Sequence, residues 1–455
     1  MGSEVKAVSF LNRHYTPPIT CNSLTRRQFE GVVLVIRLAS LLSEADSFSQ
    51  ASAAPQIGDP HTNFKVEKIK GKTQKPIVIF NQQGGQSKID TWDPKPDTPE
   101  DIRGPFKTIK TNVPGLHFTE LLPNLAHLAS KLTIVKGVYH DQEEHGRATA
   151  LTFTGNPDLV NNKGDSLFNR PREHYNHRFV QLTRQQCGPY FVLNGNAERE
   201  TYGGVQKEDG LHIRCDFKNG DSYNPSAIIS AEDIPPERID GRLDLLKALD
   251  IKYLDKAERE KIDQFYEIAR KIAGDLNLSF DLTKIPDRIR ERYGRDPFGN
   301  AAVIVSNLVK LAHKKGIPAV FVLNTGFWDD HWNIQENHGK LGLSFDRAAA
   351  AFTEDCREFC TIAFTDEFSR DPRITRGGRE HWSHANTMIF SDPDITPKVL
   401  GKTDKYGAYP VQNKGVFYGG EFGATVARVA GYALHKIESG TVTKENLPYW
   451  KEVLS

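Results

Sequence analysis

A chain of 455 residues with 38% hydrophobic and 10% aromatic content can bury a large core, in one big domain or two smaller ones. Its 59 Lys and Arg balance 58 Asp and Glu, for a formal net charge of +1, which excludes the basic footprint of a nucleic-acid binder. Five cysteines are too few for a disulfide scaffold at this length. At the N-terminus, TRRQF at 25–29 precedes an apolar stretch, GVVLVIRLASLL, and small residues at 51–53. That order resembles a twin-arginine export signal. Glu30 and Arg37 place charges beside and inside the apolar stretch, so an amphipathic helix packed on the domain is the alternative. The stretch is too short to span a bilayer, and no transmembrane span is expected. Residues 1–53 are therefore read as an export leader or disordered N-terminal segment, and 54–455 as one domain working in the periplasm or outside the cell.

Beyond the leader the chain alternates strand, loop and helix without internal repeats, which predicts α/β. PIVIF at 76–80 reads as a buried strand running into GGQSKIDTWD at 84–93. Residues 114–131 gain helical periodicity after Pro123, with Leu125, Leu128, Ala129 and Leu132 on one face, and lead into a strand at 132–138. Residues 241–273 are charge-rich with spaced apolar positions and read as two amphipathic helices. A helix over 301–315 is predicted to end at Gly316, with His313 on the surface near its C-terminus. AVFVL at 319–323 reads as a strand feeding GFWDDHWNIQENH at 326–338, a dense group of aspartates, histidines and a glutamate. TIAFT at 361–365 runs into DEFSRDP, with REHW at 379–382. Three strands thus end in carboxylate or histidine clusters. In open α/β sheets ligands sit at the carboxyl ends of strands, so a composite polar site is expected at one edge of the sheet. Cys356 and Cys360, spaced i, i+4 without a second pair, read as ordinary buried thiols.

These segments, in their order, resemble the domain of unknown function 1501 family, a sulfatase-like group placed in the alkaline phosphatase superfamily. The resemblance covers nearly the whole chain. Besides the pieces above it rests on HDQEEHGRATALTFTG at 140–155, RERYGR at 290–295, GREHW at 378–382 and GKTDKYG at 401–407. It implies an alkaline-phosphatase-like three-layer α/β/α sandwich with a mostly parallel central sheet. It also implies a site for one or two divalent ions (Ca, Mg, Mn or Zn) that hydrolyses a small-molecule or glycan sulfate or phosphate ester. Paired cations would neutralise charge on an ester oxygen and orient an in-line displacement. Mapped by order, the ligands would be Asp90 from the first strand end, Asp329 and His331 from the second, Asp366 and Glu367 from the third, and His381 from the last motif. His145 and Arg370 are left for catalytic roles.

Each position has a plainer reading. Asp90 and Asp93 lie in a Gly-rich loop where Asp often caps turns. His338 follows the second cluster at a distance where the chain enters a helix and leaves the site, and Glu367 with Arg370 could be a structural ion pair. Counting back from Gly155, the place where sulfatases carry Cys or Ser holds His145, which could bind a metal, contact substrate or act as a nucleophile. Where the family usually shows Glu-Phe-Gly-Arg-Thr-Pro this chain has Glu367-Phe368-Ser369-Arg370-Asp371-Pro372, and Ser369 would be costly if the backbone needed positive φ. An oxygen-rich ligand set would suit Mg, Ca or Mn. A non-catalytic metal-containing binding or cell-envelope protein is the competing function.

Overall fold

The computed structural model describes residues 64–155, 190–193, 211–213, 282–438 and 441–455, together with positions 179, 182, 183 and 186. The leader at 1–53 and the two helices expected over 241–273 lie outside the described residues. In chain order the strands are β1 (Phe64–Lys68), β2 (Ile77–Asn81), β3 (Thr108–Lys110), β4 (His117–Thr119), β5 (Thr133–Tyr139), β6 (Tyr190–Leu193), β7 (Leu211–Ile213) and β8 (Val320–Asn324). They continue with β9 (Thr361–Thr365), β10 (Ser369–Arg370), β11 (His381–Trp382), β12 (Asn386–Ser391), β13 (Val399–Leu400), β14 (Phe417–Tyr418), β15 (Tyr432–Glu438) and β16 (Thr441–Asn446). Five helices matter for the site: α1 (Pro123–His127), α2 (His145–Thr154), α3 (Pro297–Lys315), α4 (Ile334–Cys356) and α5 (Phe422–Val429).

Among the described residues nine strands make the central sheet, in the order β13-β5-β12-β9-β2-β8-β6-β7 with β14 also on β5. Every pairing is parallel except those of β12, which runs against both β5 and β9. β2, β8 and β9 are buried along their whole length, which explains their continuous apolar runs: a strand covered on both faces cannot alternate with polar residues. Their side chains divide between two cores. Val78, Phe80, Phe321, Leu323 and Phe364 pack with α3 and α4, while Ile77, Ile79, Val320, Val322 and Ala363 pack with α5. Helices on both faces of a mostly parallel sheet make a three-layer α/β/α sandwich.

Local chemistry sets the helix ends. Asp296 caps α3 by accepting from the Gly299 N–H, Pro297 occupies the first turn, and Gly316 closes the helix in a left-handed conformation. The periodicity over 125–132 is divided between two elements, since α1 stops at His127 and a 3-10 turn, Ala129–Lys131, leads into β5. At the centre of the first core Phe80 stacks on Phe364 at 5.0 Å and meets Phe352 edge-on at 5.2 Å. Removing such a ring costs about 3–5 kcal/mol. Among the described residues Cys356 and Cys360 are free and buried, and no helix is long and apolar enough to cross a membrane.

Candidate functional site

β9, β2 and β8 are neighbours and parallel, so their carboxyl ends bring the 366–370, 82–93 and 325–331 segments to one edge of the sheet. Gly84 makes their approach possible. Its φ is +104°, and a Cβ there would lie 2.7 Å from the backbone nitrogens of Trp328 and Asp329. Only glycine tolerates both conditions. With the chains this close, the Gly84 N–H donates to Glu367 Oε1 at 2.7 Å, and the Gly84 carbonyl accepts from the Arg370 guanidinium.

Asp329 is the focus. The guanidinium of Arg370 donates to its Oδ1 at 2.5 Å, His331 Nε2 lies 2.9 Å and His381 Nε2 3.2 Å from the same oxygen, and His145 Nε2 is 3.3 Å from Oδ2. Ligand atoms of His145, Asp329 and His381 all fall within 4.8 Å of one another. The three imidazoles come from unrelated elements. His145 opens α2, whose cap is Glu144, accepting from the Gly146 and Arg147 N–H groups. His331 follows β8, and His381 is held in the two-residue ribbon of β10 and β11, directly across from Arg370.

All three rings are fixed in the same sense. His145 Nδ1 donates to Glu367 Oε1 at 2.8 Å, His331 Nδ1 to Glu380 Oε2 at 2.6 Å, and His381 Nδ1 to the Glu143 carbonyl at 2.7 Å. Each partner is an acceptor, so each neutral ring keeps its proton on Nδ1 and turns the lone pair of Nε2 inward. Three lone pairs facing a carboxylate repel one another unless a proton or a cation lies between them. His145 Nε2 is buried and makes no hydrogen bond despite its nearness to Asp329. The donor set therefore fits a divalent cation, with outer acceptors orienting each imidazole as in known metal sites. Without a cation the proton serves. Burial opposes charge on His145, but Asp329 and Glu367 on either side outweigh it and raise its pKa to about 9. Burial likewise works against charge on Asp329, yet His145, His381 and Arg370 hold its carboxyl far below the usual range.

The other sequence candidates lie elsewhere. Asp90 is sealed in an ion pair with Arg379, at 2.6 Å with both side chains fully buried, and also accepts from Ser87 Oγ. Asp366 pairs with Lys88 at 2.7 Å and accepts from the Gln86 N–H and from Asn386; burial pushes its carboxyl up against the pull of Lys88. Neither joins the group around Asp329. Glu367 reaches it only through His145. Arg370 is fully buried and donates to the carbonyls of Gly84, Gly85 and Arg379 besides Asp329, so it holds the aspartate from beneath. It does not pair with Glu367, the ion pair weighed from sequence. Asp93 binds Lys95 and Lys136, and His338 lies in α4 against Asp330. Ser369 sits in β10 and is not among the positive-φ residues, so its serine carries no backbone strain. The expected oxygen-rich set is replaced by one in which imidazoles outnumber carboxylates.

Glu380, Glu143 and Gly84 were not anticipated in these roles. The adjacency of Glu380 to His381 in REHW was the available signal for the first, while the Glu143 contact is made by backbone and leaves no mark in the sequence.

A three-layer α/β/α sandwich that gathers three histidines around an aspartate defines a protein with a candidate metal centre at the carboxyl edge of its sheet. More particularly, the chain belongs to the family described as protein of unknown function (DUF1501), whose model matches residues 74–440. No curated protein sequence matches the chain significantly. Among solved structures it is similar to a protein in the alkaline phosphatase superfamily from Vibrio parahaemolyticus (10% identity, 87% of this chain and 74% of that one, TM-score 0.38). It is similar also to the lipoteichoic acid synthase LtaP from Listeria monocytogenes (8% identity, 83% and 78%, TM-score 0.39). A third is the C-terminal periplasmic domain of EcEptC from Escherichia coli in complex with Zn (7% identity, 82% and 86%, TM-score 0.38). At these identities no residue role carries over from them.

Proposed function

We propose that this chain is an exported, metal-dependent hydrolase of a sulfate or phosphate ester. His145, His381 and Asp329 would hold one divalent cation, with His331 beside them. The observation that supports this most is the inward aim of three imidazole Nε2 atoms at one carboxylate, each ring locked by an acceptor on its far nitrogen. A nitrogen-rich set of this kind favours Zn over Ca or Mg. When bound, such a cation supplies Lewis acidity at an ester oxygen and activates water. The chain's own residues set the rest. Glu367, fixed by the Gly84 N–H, keeps His145 in one tautomer, and Arg370 keeps Asp329 charged and in place. Solvent reaches the cluster, since the side chains of His145, His381 and Asp329 are 25%, 22% and 19% exposed. Among the described residues no serine, threonine or cysteine side chain hydrogen-bonds the side chain of any of the four, and Thr149 Oγ1 is spent on the His145 carbonyl at 2.7 Å, so water is the nucleophile in this reading: it adds to sulfur or phosphorus as the alcohol leaves with a proton.

The same absence of a placed side-chain nucleophile favours a second reading, a non-catalytic protein that keeps the metal. Elemental analysis of the purified full chain beside Asp329→Ala and His381→Ala, followed by assays with p-nitrophenyl sulfate and p-nitrophenyl phosphate, separates the two. One equivalent of metal in the parent alone, with hydrolysis, is expected. Metal without hydrolysis would put the second reading in front, and a folded parent without metal would defeat both.

A further inference from the structure

His140 is buried one residue beyond β5, and the centre described above does not use it. Its bonds run opposite to those of the other three imidazoles. Nε2 donates to the Glu367 carbonyl at 2.6 Å, and Nδ1 accepts from the Gln142 N–H at 3.1 Å. An amide N–H only donates and a carbonyl only accepts, so the ring is neutral with its proton on Nε2. Burial, which holds its pKa below the ordinary value, acts in the same direction. With both nitrogens spent, this ring has no lone pair to offer a cation.

What the two bonds hold is the layer behind the centre. The Glu367 carbonyl belongs to the residue whose carboxylate fixes His145 Nδ1. Gln142 lies in the turn at 141–143, where the carbonyl of its neighbour Glu143 fixes His381 Nδ1. Among the described residues this turn hydrogen-bonds the rest of the molecule at two places, the His140 ring and the His381 ring. Glu144 follows directly as the cap of α2, whose first residue is His145. The ring itself has little room to move. The His140 N–H donates to the Ser383 carbonyl at 3.1 Å, just past β11, and Gly419 comes so near that a Cβ there would lie 2.9 Å from His140 Cδ2.

We infer that His140 is a positioning residue of the centre: one neutral ring holds the backbone of Glu367 and of the 141–143 turn, and through them aims His145 and His381 at the cation. This rests on the proposed metal-dependent reading and adds a part to it. Groups that orient metal-binding imidazoles from behind are worth about 10–100-fold in metal affinity. His140 acts on two of them at once, from one bond further out.

The test uses the full chain, with zinc as the probe and its affinity read by competition with a chromophoric chelator. His140→Phe keeps a flat ring and removes both bonds, and it should weaken zinc binding by at least about tenfold. His140→Asn keeps an acceptor near the place of Nδ1, and His140→Gln a donor near the place of Nε2, so each should recover part of that loss. Phe352→Leu, a change in the first core, should lower stability and leave zinc affinity unchanged, which separates positioning from a general loosening of the fold. Nitrogen-15 NMR of the histidine-labelled, metal-free parent gives a readout that needs no cation: the signal missing from His140→Phe should belong to a neutral ring protonated on Nε2. Parent-like zinc affinity in folded His140→Phe, or a proton on Nδ1 of that ring, would overturn the inference while leaving the metal-dependent reading intact. Should His140→Phe not fold, parent-like affinity in both His140→Asn and His140→Gln has the same force. A folded parent that binds no zinc would overturn the metal-dependent reading, and the inference with it.

Discussion

The carboxylates that follow three neighbouring strands live under opposite conditions. Asp90 and Asp366 are sealed beneath the edge of the sheet, each against a cation of its own, Arg379 and Lys88. Asp329, at the end of the neighbouring strand, is partly open and shared by one guanidinium and three imidazoles. A sealed pair has fixed stoichiometry and nothing to gain from a ligand. The open cluster has more inward-facing lone pairs than protons, and that imbalance marks it as the place where chemistry is possible. An acid at a strand end is therefore read by its partners and not by its position.

Breaking a sealed pair should give the largest effect. Asp90→Asn leaves Arg379 buried without its counter-charge, and chemical denaturation should show a loss of about 3–5 kcal/mol. An unchanged midpoint would mean that the guanidinium finds other acceptors. A related sealed carboxylate, Asp346, caps α1 by accepting from the Asn124 and Leu125 N–H groups, and burial raises its pKa to about 6 against those donors. Because the folded state binds this proton more tightly than the unfolded chain, its contribution is full below about pH 4 and falls as pH rises to about 6, by about 3 kcal/mol. Asp346→Asn should flatten that part of the stability profile, whatever its effect on absolute stability.

The open cluster should respond in the other sense. His381→Ala should leave the metal-free protein within about 1 kcal/mol of the parent, as expected for a partly exposed group outside the two hydrophobic cores. It should abolish the stabilisation of about 2.7 kcal/mol that zinc at a hundred times its dissociation constant confers on the parent. Thermal melts with and without zinc read both numbers. Smallest of all is the effect of Glu380→Gln on stability, under about 1 kcal/mol for an exposed pair. Glu380 orients His331, however, so zinc affinity should fall by about 10–100-fold. A variant binding zinc as tightly as the parent would remove His331 from the centre.

The sheet was legible because a strand covered on both faces must be continuously apolar, and 76–80, 319–323 and 361–365 are. So was the density of His and Asp after the second strand. What the sequence hid was the sorting of acids into sealed and open. Arg379 lies 289 residues from Asp90, and Lys88 lies 278 residues from Asp366. No local pattern announces a partner at that distance. The nitrogen-rich character of the cluster was hidden for the same reason, since His145, His331 and His381 each sit among acids in their own segments and meet only when folded. Phe327 and Trp332 look in sequence like two more apolar residues, and nothing local marks them as exposed.

The ribbon of β10 and β11 also has a bearing on how this chain tolerates change. Arg370 and His381 face each other across only two paired residues, with Ser369 opposite Trp382. Side chains alternate between the faces of a ribbon, so a slip of one residue would place Glu380 or Trp382 where His381 now stands. The loop between, residues 371–380, can therefore lengthen or shorten at its tip, but a single insertion or deletion absorbed by the ribbon would exchange an imidazole for a carboxylate or an indole. Drift in loop length is tolerable here only while the two short strands keep count.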